Sequence, residues 1–584
     1  MTYSCLDHVT TNVPEKCSIP EVLLTQSSDH MPILVTKYSR EPRIQPQTIK
    51  KRLYKNFSPA DFLIDVYDCV QNGGFEKVLN NNNLEEASLI FSGVFGTILN
   101  NHAPLKVIQV RNNYASWISD ETKQFQRARD LLKKEAISEK SVEKFRKYKK
   151  IRNYIVKRLK SDRHEYFQTK FYGRNLSTSD TWKQANDYLN TSRRSYSNTP
   201  KLILHNGMVH TSPQNIANAM NDAFIEKVDK LHKKVADKVE VCPLTRLRSF
   251  LSTKAKPVDQ FQLRPIGKPE LRKILQKRKG NRSSGVDFID GFSIKLAAPL
   301  IEDVILHLVN LSLKNSYYPS SWKLTKVIPQ FKKGEKILGE NWRPVSDIVF
   351  ISKIVEAAVY QQVEDYFLKY GLWHPNHHGF KGNHSTTTAI SQIYDLWIAA
   401  AESKELTAAL LLDLSAAFDI IDHSILLKKL GLYSFSQAAQ DWFKSYLSNR
   451  SQMVQVESRF SDPKSIGTRG VPQGSLLGPL LFLIFYNDFP HVREEGSSVV
   501  YADDDTDNVS DGCPLSLQHK IQREADLSTA WVRDNKMVCS GAKTKLMIIG
   551  TRELRLSKLV NQNVQIQIVV DGCNVVESAS ERWK

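Results

Sequence analysis

Cysteine is scarce. The 584-residue chain holds seven, Cys5, Cys17, Cys69, Cys242, Cys513, Cys539 and Cys573, odd in number, widely spread and never at CxxC spacing. That pattern excludes a disulfide framework, offers no zinc site and fits a reducing compartment. Long apolar runs are also lacking: GPLLFLIFYNDF, from Gly478, breaks off within a dozen residues, whereas a bilayer span takes about 20. The opening MTYSCLDHVTTNV has no basic-then-apolar signal pattern, so neither membrane insertion nor secretion is indicated. Acids are in deficit, 62 against 81 Lys and Arg, and the net charge of +19 favours a polyanionic partner.

What is present is ordinary globular material, 41% apolar, in a chain too long for one core. Residues 1–36 hold two apolar runs, SCLDHVTTN and VLLTQSSDHMPILV, which read as strands unable to form a core alone. Residues 37–258 read as a mostly helical extension. NFSPADFLIDVYDCV predicts a helix start, with Ser58 as cap and Pro59 at the first helical position. Residues 119–174 carry 18 basic and 8 acidic side chains on helical stretches, with Phe145, Tyr148, Tyr154, Tyr166 and Phe167 interleaved. A solvated helical pair and a backbone-gripping surface for RNA or DNA both fit that composition. From about 260 to 550, amphipathic helices alternate with short apolar strands, the mark of a mixed α/β body.

The chemistry concentrates in two strands. TAALLLDLSAAFDIIDH, from Thr407, runs through five buried-type apolar residues into Asp413, where the backbone must emerge toward solvent. VVYADDDTDNVS, from Val499, ends in Asp503, Asp504 and Asp505, a cluster that is costly unless a cation sits on it. Asp413, Asp503 and Asp504 together would offer oxygen ligands for two Mg²⁺ ions, the donor set of in-line nucleotidyl transfer. Between the strands, RGVPQGSLLGPLLFLIFYNDF supplies Gln473 as a hydrogen-bonding side chain and Gly474, which lets backbone approach a base or sugar.

DLSAAFDIID, RGVPQGSLLGPLLF and YADD, in that order, resemble the successive palm motifs of reverse transcriptases of non-LTR (LINE-type) retrotransposons. WKLTKVIPQFKKG, NWRPVS, SKIVE and HHGFKGNHST resemble the finger segments of that family, and WVRDNKMVCSGAKTKLMIIG its last palm segment. The resemblance implies an α+β right-hand polymerase, with fingers at 259–400, a palm of antiparallel sheet backed by helices at 401–550, and at 551–584 a shortened lead toward a missing thumb. It implies Asp413, Asp503 and Asp504 as catalytic acids on two Mg²⁺ ions, with Mn²⁺ the alternative. Phe418 falls where the family has a steric gate against the ribose 2′-hydroxyl; an RNA polymerase would be expected to place a polar residue there. Arg343 matches the triphosphate-binding arginine, Lys332 is a second such cation with Lys333 beside it, and Lys543 matches the lysine that protonates departing pyrophosphate. Asp505 departs from the family, which has a small neutral residue next; the hairpin turn is expected to leave it solvated.

SCLDHV and SSDHMPI resemble the last strands of the apurinic-type endonuclease (endonuclease/exonuclease/phosphatase class) that precedes such polymerases, with Asp7, Asp29 and His30 matching its site. The bulk of that domain is not in this sequence, so cleavage is not expected. The implied reading is an RNA-directed DNA polymerase from an element shortened at both ends, using dNTPs, an RNA template and a DNA primer or target. It would act inside the cell, in nucleus and cytoplasm as a ribonucleoprotein. The alternatives are a catalytically silent nucleic-acid-binding remnant and an RNA-dependent RNA polymerase.

Overall fold

A computed structural model of the chain describes residues 21–22, 33–34, 47–110, 117–139, 141–171, 199–235 and 239–577. The chain divides into two compact units, one made of Met1–Ile49 and Gln109–Tyr196, the other of Lys50–Ile108 and Ser197–Lys584. In the first, helices Asp120–Ser138 and Val142–Phe171 form a hairpin. Ser119 caps the first helix, and Asp162 of the second accepts from the Ser119 backbone N–H at 2.9 Å and its hydroxyl at 2.7 Å. Arg158 closes the clasp on Glu121 at 3.1 Å. Two short strands, Glu21–Val22 and Ile33–Leu34, pair antiparallel.

The second unit has the expected α+β architecture of fingers and palm. Two sheets carry it, with strands in chain order β1 (Leu324–Phe331), β2 (Trp342–Asp347), β3 (Leu406–Leu412), β4 (Ser451–Val456), β5 (Ser497–Tyr501), β6 (Asp504–Asp511) and β7 (Lys545–Ile549). The fingers sheet pairs β1 antiparallel with β2 and parallel with β4. The palm sheet runs β5-β6-β3-β7, antiparallel throughout. Strand β3 is central because its run of Leu and Ala leaves no face for water, and six of its seven residues are buried.

Helices cover the palm. Leu477–Tyr486 is apolar all round and buried except at Pro479, which borders the cleft, each fully buried Leu, Ile or Phe contributing about 1.5–3 kcal/mol. Pro514–Asp534 packs beneath β6 and β3 through Leu517, Ile521, Ala525 and Trp531. Helix Pro59–Gln71 starts as its sequence predicts, Ser58 accepting from the Asp61 N–H with Pro59 following. Helix Gly291–Lys314 is long and apolar enough to cross a membrane by length and composition, but more than half of its most apolar stretch is buried in the core. Pro299 removes a helical hydrogen bond, and the backbone kinks at Ile301, as expected for proline inside a helix.

Candidate active site

The palm register sets the site. Asp505 pairs with Leu412 across β6 and β3, so Asp504 and Asp413 come to the same level at the strand ends. Tyr501 pairs with Asp504, leaving Ala502 and Asp503 as a two-residue hairpin turn whose first residue has φ +60°. The turn rests on Gly379 of HHGF: a Cβ there would collide with the Ala502 backbone, lying 3.0 Å from its Cα. The same segment extends the sheet, the His378 N–H donating to the Val500 carbonyl at 2.8 Å and the Val500 N–H to that of Asn376 at 2.9 Å.

A cavity of about 1360 Å³ opens above these strand ends. Asp413, Asp503, Asp504, Lys543, Phe418, Arg343, Lys332, Gln473 and Gly474 all line it, whereas Lys333 does not. Asp504 is raised above the ordinary carboxylate range by desolvation in the cleft, then by the charges of Asp503 and Asp413. Lys543 Nζ stands 3.3 Å from Asp413 Oδ2. Among the described residues no three His, Cys, Asp or Glu side chains are grouped closely enough to form a ready-made metal cage. The donor set nonetheless fits a hard divalent cation: three carboxylates on one wall, whose mutual repulsion adds to the desolvation that lifts Asp504.

Phe418 stacks on Phe482, with ring centroids 4.6 Å apart at 23°, and receives the edge of Phe380 at 6.0 Å. Arg343 sits on β2 opposite Gln330. Lys332 is lowered from the ordinary lysine value by burial, then by Arg343, Lys227, Lys543 and Lys333. Gln473 and Gly474 also make contacts within the protein. Gly474, at φ +115°, gives close passage past the Ser346 carbonyl, and the Ser346 N–H donates to the Gln473 carbonyl at 2.8 Å, so this glycine fits loop to β2. The Gln473 amide donates to Asp419 Oδ1 at 2.6 Å.

Asp505 corrects the expectation that the turn would leave it solvated. It is buried, accepts a hydrogen bond from the Ser498 hydroxyl and lies 3.7 Å from Arg493 Nη2. Strand alternation is the reason: Asp504 faces the cavity, while Asp505 and Asp507 point beneath the sheet, where Arg493 Nε meets Asp507 at 2.6 Å. Burial pushes the Asp505 carboxyl well above its ordinary value, with Asp507 adding to it. Asp7, Asp29 and His30 lie outside the described residues.

Two charged cavity-lining residues that no sequence motif assigned stand close to the predicted ones. Asp419 follows the aromatic of DLSAAFD and is raised to about 6 by burial, against the Gln473 hydrogen bond and Lys227. Its position within a motif already singled out was a usable signal. Lys227, on helix Pro213–Lys233, carried none, because nothing local ties that helix to the palm motifs.

The cavity thus gathers three carboxylates, a stacked aromatic and several cationic side chains, and comparison with known proteins shows what such a chain is similar to. Residues 331–569 match the family described as reverse transcriptase (RNA-dependent DNA polymerase). Over 280 residues the chain is 28% identical to the probable RNA-directed DNA polymerase from transposon BS of Drosophila melanogaster, covering 46% of this chain and 31% of that protein. It is 29% identical over 276 residues to the probable RNA-directed DNA polymerase from transposon X-element of the same species, covering 46% and 30%. It is 28% identical over 284 residues to the RNA-directed DNA polymerase from mobile element jockey of Drosophila funebris, again covering 46% and 30%. The match thus spans about three tenths of each relative's length.

Proposed function

We propose that this chain is an RNA-directed DNA polymerase of the non-LTR retrotransposon type, adding dNTPs to the 3′-hydroxyl of a DNA primer on an RNA template. One observation carries the reading: a single cavity gathers Asp413, Asp503, Asp504, Lys543, Phe418, Arg343, Lys332, Gln473 and Gly474 from elements spread over more than two hundred residues. Asp413, Asp503 and Asp504 would hold two Mg²⁺ ions, or Mn²⁺ in their place, which supply Lewis-acid activation of the hydroxyl and neutralise triphosphate charge. Arg343 and Lys332 bind phosphate oxygens, the arginine through its planar fork. Phe418, held by Phe482 behind and Phe380 at its edge, occupies the space a ribose 2′-hydroxyl would need. Gln473 and Gly474 form the loop wall beside the nucleotide, the amide oriented by Asp419. Lys543 Nζ carries the proton for the departing pyrophosphate. In this reading the fingers cover 259–400 and the palm 401–550, and residues 1–36 belong to an endonuclease-type domain with Asp7, Asp29 and His30 at its site.

Primer extension on RNA and DNA templates tests the reading. The wild-type chain is expected to incorporate dNTPs in Mg²⁺, Asp503→Asn to lose incorporation by a factor of about 10³ or more, and Phe418→Ala to gain NTP use relative to dNTP. Template binding without incorporation would identify a silent nucleic-acid-binding remnant. Equal use of NTPs and dNTPs, unaltered in Phe418→Ala, would identify an RNA polymerase.

A further inference from the structure

Helix Pro213–Lys233 lies upstream of the matched domain, yet it forms one wall of the cavity. One face, with Ile216, Ala217, Met220 and Phe224, is buried in a core of its own against Val327 of β1, Trp342 of β2 and Val454 and Val456 of β4. Polar contacts fix the helix against sliding. Asn221 Nδ2 donates to Ser461 Oγ and to the Asp462 carbonyl, each at 3.0 Å, while Gln452 Nε2 donates to Asn221 Oδ1 at 2.9 Å. At the cavity end the contact is tight, since a Cβ on Gly339 would lie 2.7 Å from the Ala223 methyl.

Toward its C-terminal end the helix presents Ala223, Glu226, Lys227 and Lys230 to the cavity, at the three- and four-residue spacing that aligns side chains on one side of a helix. Glu226 is taken by His205 at 3.3 Å and Lys230 at 3.7 Å. Lys227 is exposed and has no ion-pair partner among the described residues. Its charge bears on Lys332 and Asp419, and it shares the cavity with Arg343, which likewise has no ion-pair partner among the described residues. Three cations brought by three separate elements to one cleft repel one another, an arrangement that an anion between them would turn into attraction.

The geometry points to Lys227 as a third cationic arm, with Lys332 and Arg343, of a cradle for the triphosphate of the incoming nucleotide, delivered by a helix outside the reverse transcriptase match. The inference rests on the polymerase reading above and deepens it. Phosphates of a bound nucleic-acid backbone share this chemistry, so the two sources must be separated.

The full chain, bound to primer–template, is titrated with dTTP and with inorganic tripolyphosphate as competitor, alongside steady-state incorporation. Lys227→Ala is expected to weaken both ligands about tenfold, the size of one lost charge-assisted hydrogen bond. The KM for dTTP should rise by the same factor, with kcat falling less than about threefold and primer–template affinity within about twofold of wild type. Lys227→Arg should restore most of the binding. Unchanged dTTP and tripolyphosphate affinity in Lys227→Ala, or a loss confined to primer–template affinity, overturns the cradle while leaving the polymerase reading intact. A wild-type chain that holds primer–template but neither binds nor incorporates dTTP overturns both. Lys227 is solvent-exposed, so an unaltered melting temperature is expected and confirms that the variant is folded.

Discussion

Asp419 and Asp505 share an acid's identity and differ in fate. Asp505 is held by Arg493 and Ser498 under the sheet and takes no part in the cavity. Asp419 lines the cavity and accepts from the Gln473 amide. In the unfolded chain such a carboxyl titrates at about 3.9, whereas in the folded protein burial pushes Asp419 up to about 6. The folded state therefore binds this proton more tightly; the stability linked to it is fully present below the unfolded value and is lost as pH rises through about 6. Asp419→Asn keeps an oxygen acceptor for Gln473 and removes the titration. Its melting temperature should exceed that of wild type at pH 7 and match it at pH 4, measured by thermal denaturation across that range. A variant melting below wild type at pH 7 would mean that the charge itself, facing Lys227, stabilises the fold.

The β5–β6 hairpin depends on a partner far away in sequence. Gly379 is 123 residues upstream of Ala502, yet the two backbones are in contact. Gly379→Ala must push HHGF away from the turn or the turn away from HHGF. The expected cost is about 1–3 kcal/mol of stability, with a fall in kcat for incorporation because Asp503 lies in the displaced turn. Denaturant unfolding together with primer extension checks both, and normal stability with normal kcat would refute the contact. The residue types of YADD and HHGF were legible as strand, turn and loop; that one supports the other was not. Likewise the helix cap at Ser58 was readable because capping is settled within four residues. The placement of Gln473 on Asp419 was not, since it joins two loops 54 residues apart.

Over the whole molecule, the +19 charge is unevenly used. Within the helical hairpin of Asp120–Phe171, Arg146, Lys150, Lys157 and Lys160 are exposed and outside any ion pair among the described residues. Lys144, Lys147 and Arg158 are instead engaged by acids of the same hairpin. Replacing these four cations with Gln should weaken RNA binding and make its log–log salt dependence shallower by about 3, at roughly 0.7 per single-strand phosphate contact. Filter binding from low to moderate salt measures the slope, and an unchanged slope would leave this hairpin a solvated one. The sequence by itself singled out the side chains that meet in the cavity and the strands that carry them: Asp413, Phe418, Asp503 and Asp504 sit in short motifs where strand periodicity and turn chemistry act over a few neighbouring residues. Only the tertiary structure decided that Asp505 turns inward to Arg493, that Asp419 accepts from Gln473, and that Lys227 reaches the cavity that holds Asp413, Asp503 and Asp504. Those outcomes depend on which faces of distant elements find enough apolar partners to bury, and no local pattern encodes that.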